Sequence, residues 1–73
     1  MFNNDYIEKH LGQIDEYQNQ YNNGGISLDQ LELWQGDSYS RLGSHLNITD
    51  IDQEITPGLA EMIYDESERQ LNF

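Results

Sequence analysis

Apolar residues recur along the first third of this chain at the spacing of one helical face. Ile7, Leu11, Ile14 and Tyr21 form the stripe, with Tyr17 and Gln18 on its flank. Asn3 or Asn4 supplies an N-cap, and Asp5 and Glu8 fall near the positive end of the helix dipole. Asn22-Asn23-Gly24-Gly25 is a strong stop. The same four residues could turn a hairpin, but their flanks do not alternate as strands do. Ser27-Leu28-Asp29-Gln30 reads as a capping box opening a short helix through Leu31, Leu33 and Trp34, stopped at Gly36. Asp37 or Ser38 then caps a further short helix carrying Tyr39, Leu42 and Leu46, weakened at Gly43 by about 1 kcal/mol relative to Ala. Between Ile48 and Ile55 two readings stand: Thr49 to Asp52 caps another turn, or Ile48, Ile51 and Ile55 line an irregular connection.

Thr56-Pro57 starts the last helix, with Thr as cap and Pro at the first helical position. Leu59, Met62 and Ile63 share one face, and Glu61, Asp65, Glu66 and Glu68 the other. Nothing apolar falls between Asp65 and Gln70, so the last turn is expected to fray. The expectation is a mainly α domain of three or four short helices over residues 1–66, with residues 67–73 a flexible tail or a short anchor.

Composition supports this reading. Seven Ile, eight Leu, Trp34 and five Tyr suffice for a small helical core, while Val is absent and Thr occurs twice. Seventy-three residues make one domain at most, and without Cys there is neither a disulfide nor a thiolate zinc site. The N-terminus does not resemble a signal peptide and no stretch approaches the length of a membrane span, which points to a cytoplasmic protein.

Charge changes the picture most. Three basic residues, Lys9, Arg41 and Arg69, face fourteen acidic ones, a formal net charge of −11. Such a chain cannot neutralise a run of phosphates, so nucleic acid and anionic membranes are poor partners. The segment from Leu28 to Leu46 has the outline of a helix-turn-helix. Glu32, however, stands where that motif wants a small buried residue, and the second helix offers only Arg41 and His45 as donors. Two packed helices with Trp34 in the core are the simpler expectation. Asp50-x-Asp52-x-Glu54 begins like a calcium loop, and Glu61 falls at its twelfth position, but Ile55 stands at the sixth where Gly is required. His10 and His45 have no second ligand at metal spacing, so no metal and no cofactor is expected. Gly36-Asp37-Ser38 resembles the nucleophile block of one esterase family. A chain this short has no room for the pocket and oxyanion hole that chemistry needs, and the expectation is a non-enzyme.

What remains is the acidic surface. Both halves of the chain are acidic, with six acids up to Gly36 and eight after it. The candidate partner-binding residues are Asp5, Glu8, Asp15 and Glu16 on the first helix and Glu61, Asp65, Glu66 and Glu68 on the last, with Tyr17, Tyr21 and Tyr64 at the helix edges. Carboxylates steer a basic partner and aromatic rings supply desolvated contact. The plainer alternatives are a solvated acidic shell and tyrosines half-buried at the rim of the core.

In size, acidity, lack of Cys and mixture of Tyr with acids, the whole chain resembles small phage-encoded host-takeover proteins. Two such families fit: inhibitors of bacterial RNA polymerase that occupy basic surfaces used by sigma factor or DNA, and DNA mimics that block nucleases, restriction enzymes or CRISPR effectors. The resemblance rests on composition, so no functional residue is carried over from either. Acids interleaved with apolar and aromatic residues favour the polymerase type, a monomer acting in the bacterial cytoplasm without contacting nucleic acid or membrane directly. A small acidic structural or adaptor subunit is the remaining class.

Overall fold

The computed structural model describes residues 3–72. It consists of three α-helices, α1 (Asn4–Asn22), α2 (Leu28–His45) and α3 (Pro57–Leu71), with no strand among the described residues. Each helix starts where local chemistry satisfies its free N–H groups. The Asn3 side chain accepts from the Tyr6 amide at 3.2 Å. Ser27 and Gln30 form a reciprocal capping box, and Thr56 accepts from the Leu59 amide ahead of Pro57.

The C-terminal ends of α1 and α2 share one device. Gly24 adopts φ +78°, and the Gly25 and Gly24 amides donate to the carbonyls of Gln20 and Tyr21. Asn47 adopts φ +61°, and the Ile48 and Asn47 amides donate to the carbonyls of Gly43 and Ser44. Both are Schellman closures, with the left-handed residue just past the helix.

Contacts along the helices give the topology. α1 and α2 are antiparallel: Asn3 meets His45, Ile14 meets Gln35, and Tyr17 meets Trp34. α3 also runs against α1, because Tyr64 bonds Asp15 while Leu71 lies near Glu8. The segment 46–56 therefore doubles back along α2, bringing Ile55 and Pro57 beside Gly36 and Tyr39. Ile48 and Ile55 pack against the core from this strap, Thr49 is buried, and Ile51 points outward. The connection is irregular except for one turn at Asp50–Gln53, closed by the Gln53 amide on the Asp50 carbonyl; Thr49 does not cap it, and of the three isoleucines only Ile48 and Ile55 line the core.

The core unites Ile7, Leu11 and Ile14 of α1 with Leu42 and Leu46 of α2 and Ile63 of α3. Ile7, Leu42 and Ile63 are completely buried, each contributing about 1.5–3 kcal/mol relative to an exposed side chain.

Three expectations change. Gly36 does not stop a helix; α2 runs through both Gly36 and Gly43. The buried stripe passes from Leu31 to Leu42 through Gln35, Ser38 and Tyr39, and its polar members hide the period in the sequence. A continuous α2 leaves no turn for a helix-turn-helix. Trp34 is not in the core but stays 37 % exposed against the Tyr17 ring, and Met62, expected to face inward with Ile63, is exposed. Finally, the segment expected to fray is helical through Leu71. Ser67 is fully buried because its hydroxyl donates to the Ile63 carbonyl at 2.7 Å, and Leu71, one turn on, packs against the core. Met1, Phe2 and Phe73 lie outside the described residues.

Candidate acidic interaction face

The long axis of α1 separates two surfaces. Its apolar stripe and Tyr17 turn toward α2 and the core, while Asp5, Glu8, Asp15 and Glu16 are all exposed. Asp5, Glu8 and Glu16 border a shallow outer depression shared with Lys9 and Gly12. Glu8 is also part of a groove of about 300 Å³ between α1 and α3. There Glu8, Asp15 and Glu68 supply the carboxylates, and Leu11, Tyr64 and Leu71 supply apolar surface. Gly12 joins the two depressions, and a Cβ added there would meet nothing within 4 Å.

On α3, Glu61, Asp65 and Glu68 lie on successive turns along one flank, next to Tyr64. Glu66 does not join them. It is half-buried on the opposite flank, accepting from the Gln70 amide group at 3.0 Å with the Arg69 guanidinium 3.5 Å away. Tyr17 and Tyr21 also fall elsewhere: both sit toward the C-terminal end of α1, where the Tyr17 ring meets Trp34 across the α1–α2 seam at a centroid distance of 5.4 Å. The eleven candidate positions thus divide into an acidic α1–α3 face with Tyr64, an aromatic end at the α1–α2 seam, and an isolated Glu66. None of the five tyrosines is fully buried; Tyr6, Tyr17, Tyr39 and Tyr64 are half-buried and Tyr21 is exposed.

Tyr64 ties the two helices of the face together. Its hydroxyl donates to Asp15 Oδ1 at 2.9 Å. Burial, the bond to Asp15 and the charges of Asp15 and Glu68 push its pKa up to about 12. It is therefore a donor at any physiological pH, holding one Asp15 oxygen in place. Burial, and then the Asp15 charge, also raise the Tyr39 phenol above its ordinary value.

The balance of charge on the face is one-sided. Among the described residues, Arg41 pairs with Asp37 at 2.9 Å and Arg69 with Glu66, so both arginines are engaged within their own helices. Lys9 borders the outer depression but forms no ion pair there among the described residues. Among the described residues no ion pair neutralises Asp5, Glu8, Asp15, Glu16, Glu61, Asp65 or Glu68.

Leu11, Gly12 and Leu71 complete the groove and are absent from the sequence-based candidate set. Gly12 carried a usable signal: a glycine inside a helix costs about 1 kcal/mol relative to Ala, and here it marks the open join between the two depressions. Among the described residues no group of three His, Cys, Asp or Glu side chains is placed to hold a metal ion. Asp50, Asp52 and Glu54 are all exposed in the strap. Among the described residues no helix is long and apolar enough to cross a membrane. No known protein family, curated protein or solved structure matches this chain.

Proposed function

We propose that this chain is a non-enzymatic regulator whose α1–α3 face docks on a basic surface of a larger protein. The carrying observation is the set of carboxylates, without ion-pair partners among the described residues, around the Leu11–Tyr64–Leu71 groove. Unpaired carboxylates beside half-buried apolar side chains suit Lys and Arg side chains, whose methylene stems cover apolar surface while their charged ends reach the acids. The surface we favour is one on bacterial RNA polymerase that sigma factor or promoter DNA otherwise occupies, and the mode of action is steric and electrostatic competition. The interleaving of acids with Tyr64, Leu11 and Leu71, in place of a dense carboxylate row, supports this choice over a DNA mimic.

Immobilised protein should capture core RNA polymerase subunits, depleted of sigma, from bacterial lysate at low salt and release them at high salt. Replacing Glu8 and Glu68 by Lys should slow association by about tenfold or more and flatten its salt dependence, whereas Glu32→Lys on α2 should change little. Capture of a nuclease or restriction enzyme in place of polymerase would favour the DNA mimic. Equal binding by the wild-type and Glu8→Lys/Glu68→Lys proteins would reject the acidic face as the interface.

A further inference from the structure

A second cluster lies on the other side of α1, where its first turns meet the C-terminal end of α2. Asn3, the N-cap of α1, and Tyr6 and His10 within it face Asp37, Arg41 and His45, which lie on successive turns of α2. The Tyr6 ring sits between the two imidazoles, with centroids 4.4 Å from His10 and 4.5 Å from His45. The Asn3 backbone N–H donates to His45 Nε2 at 3.2 Å. His10 is only 7 % exposed, and its Nδ1 has no hydrogen-bond partner among the described residues.

We infer that Tyr6, His10 and His45 form an acid-labile clasp, which holds the N-terminal turns of α1 on α2 while the buried His10 imidazole is neutral and releases them when His10 takes up a proton. Charging His10 places a cation in a buried site beside Lys9 and Arg41, where Nδ1 has no partner within hydrogen-bond distance among the described residues and the Gln13 side chain gives only partial compensation.

The groups facing the His10 ring come from α1 (Tyr6, Lys9, Gln13) and α2 (Asp37, Arg41). Burial lowers the His10 pKa below its ordinary 6.5, and the charges of Lys9 and Arg41 lower it further; Gln13 and Asp37 act in the opposite direction. A histidine whose folded pKa is depressed contributes stability above pH 6.5 and loses that contribution as the pH falls through its folded value. Opening that takes up one proton is favoured by up to about tenfold per pH unit within that window. Because Asp5 and Glu8 lie on the turns that are released, opening also displaces one end of the acidic face. The clasp stands whether or not that face binds polymerase.

The test is amide hydrogen exchange of the full chain by NMR at about pH 7.5 and about pH 5.5, corrected for intrinsic rates. Protection of the Ile7 and Leu11 amides should fall about tenfold on acidification, while Ser67 and Gln70 of α3 keep theirs. His10→Phe retains a ring against Tyr6 and should lose the pH response. Should that variant fail to fold, the wild-type His10 resonances decide. His10 should charge below pH 6.5, in step with the loss of protection in α1. His10 charged at or above pH 6.5 with α1 still protected, or equal loss of protection in α1 and α3, would overturn the clasp.

Discussion

Gly43 and Gly36 lie seven residues apart on α2 and look alike in the sequence, yet their surroundings are opposite. A Cβ on Gly43 would collide with Thr49 Oγ1 of the strap and come within 2.9 Å of Ile63 Cδ1, so this glycine is where α3 and the strap close on α2. A Cβ on Gly36 would meet nothing within 4 Å. Gly43→Ala should therefore destabilise the fold by about 1–3 kcal/mol through overpacking. Gly36→Ala should stabilise it by about 0.5–1 kcal/mol through helix propensity alone. Urea unfolding of both variants checks the opposite signs. Tyr64 gives a second prediction at this scale. Its folded pKa of about 12 exceeds the ordinary 10.0, so its contribution to stability is complete below pH 10 and is lost as the pH rises through about 12. Ultraviolet phenolate absorbance should show a tyrosine that ionises only near pH 12, and Tyr64→Phe should remove that component.

At the scale of elements, ends were easier to read than continuity. Asn3, Ser27 and Thr56 cap their helices with their own side chains, a local chemistry that a few adjacent residues specify. Ser27→Ala should cost about 1 kcal/mol, measurable as a shift in the urea midpoint with unchanged slope. The left-handed Gly24 also falls inside the stop read from Asn22 to Gly25. Asn47 carried the same signal less plainly, as an Asn directly after Leu46. The run through Gly36 could not be read locally, because it depends on α2 being covered by α1 on one side and by the strap and α3 on another. The last turns of α3 follow the same logic. Ser67 is buried by satisfying its hydroxyl on its own helix, and Leu71 extends the stripe of Ile63 and Ser67. Leu71→Ala should cost about 1–2 kcal/mol, less than a fully buried leucine because Leu71 is only half-buried. Thermal unfolding followed by circular dichroism measures it, and an unchanged midpoint would show that the turn contributes nothing.

For the whole molecule, charge and shape act together. The bundle measures 37 × 24 × 17 Å and carries a formal net charge of −11. At physiological ionic strength the Debye length is about 8 Å, so opposite sides of the bundle are largely screened from each other, whereas neighbours on the α1–α3 face are not. At about 0.01 M salt the length grows to about 30 Å, comparable to the molecule, and every carboxylate repels every other. Raising ionic strength between these limits should stabilise the fold by about 1 kcal/mol, a rise of about 4–8 °C in Tm for a chain of this size. Glu8→Gln/Glu68→Gln should be less salt-dependent. The same screening weakens attraction to a basic partner, so salt should move folding and binding in opposite directions.

The sequence by itself determined the helical class, the three N-caps, the stop after α1 and the excess of carboxylates, because each follows from neighbouring residues or from composition. Only the tertiary structure decided which acids act together. Glu8 and Glu68 are sixty residues apart in the chain, and the return of α3 along α1 places them on one groove. Glu66, only two residues from Glu68, faces the other flank. The Tyr6–His10–His45 cluster was equally illegible, since His10 and His45 become neighbours of one ring only when α1 and α2 pack antiparallel. Periodicity assigns a residue to a face of its own helix; which faces meet is set by the packing of all three helices around Ile7, Leu42 and Ile63.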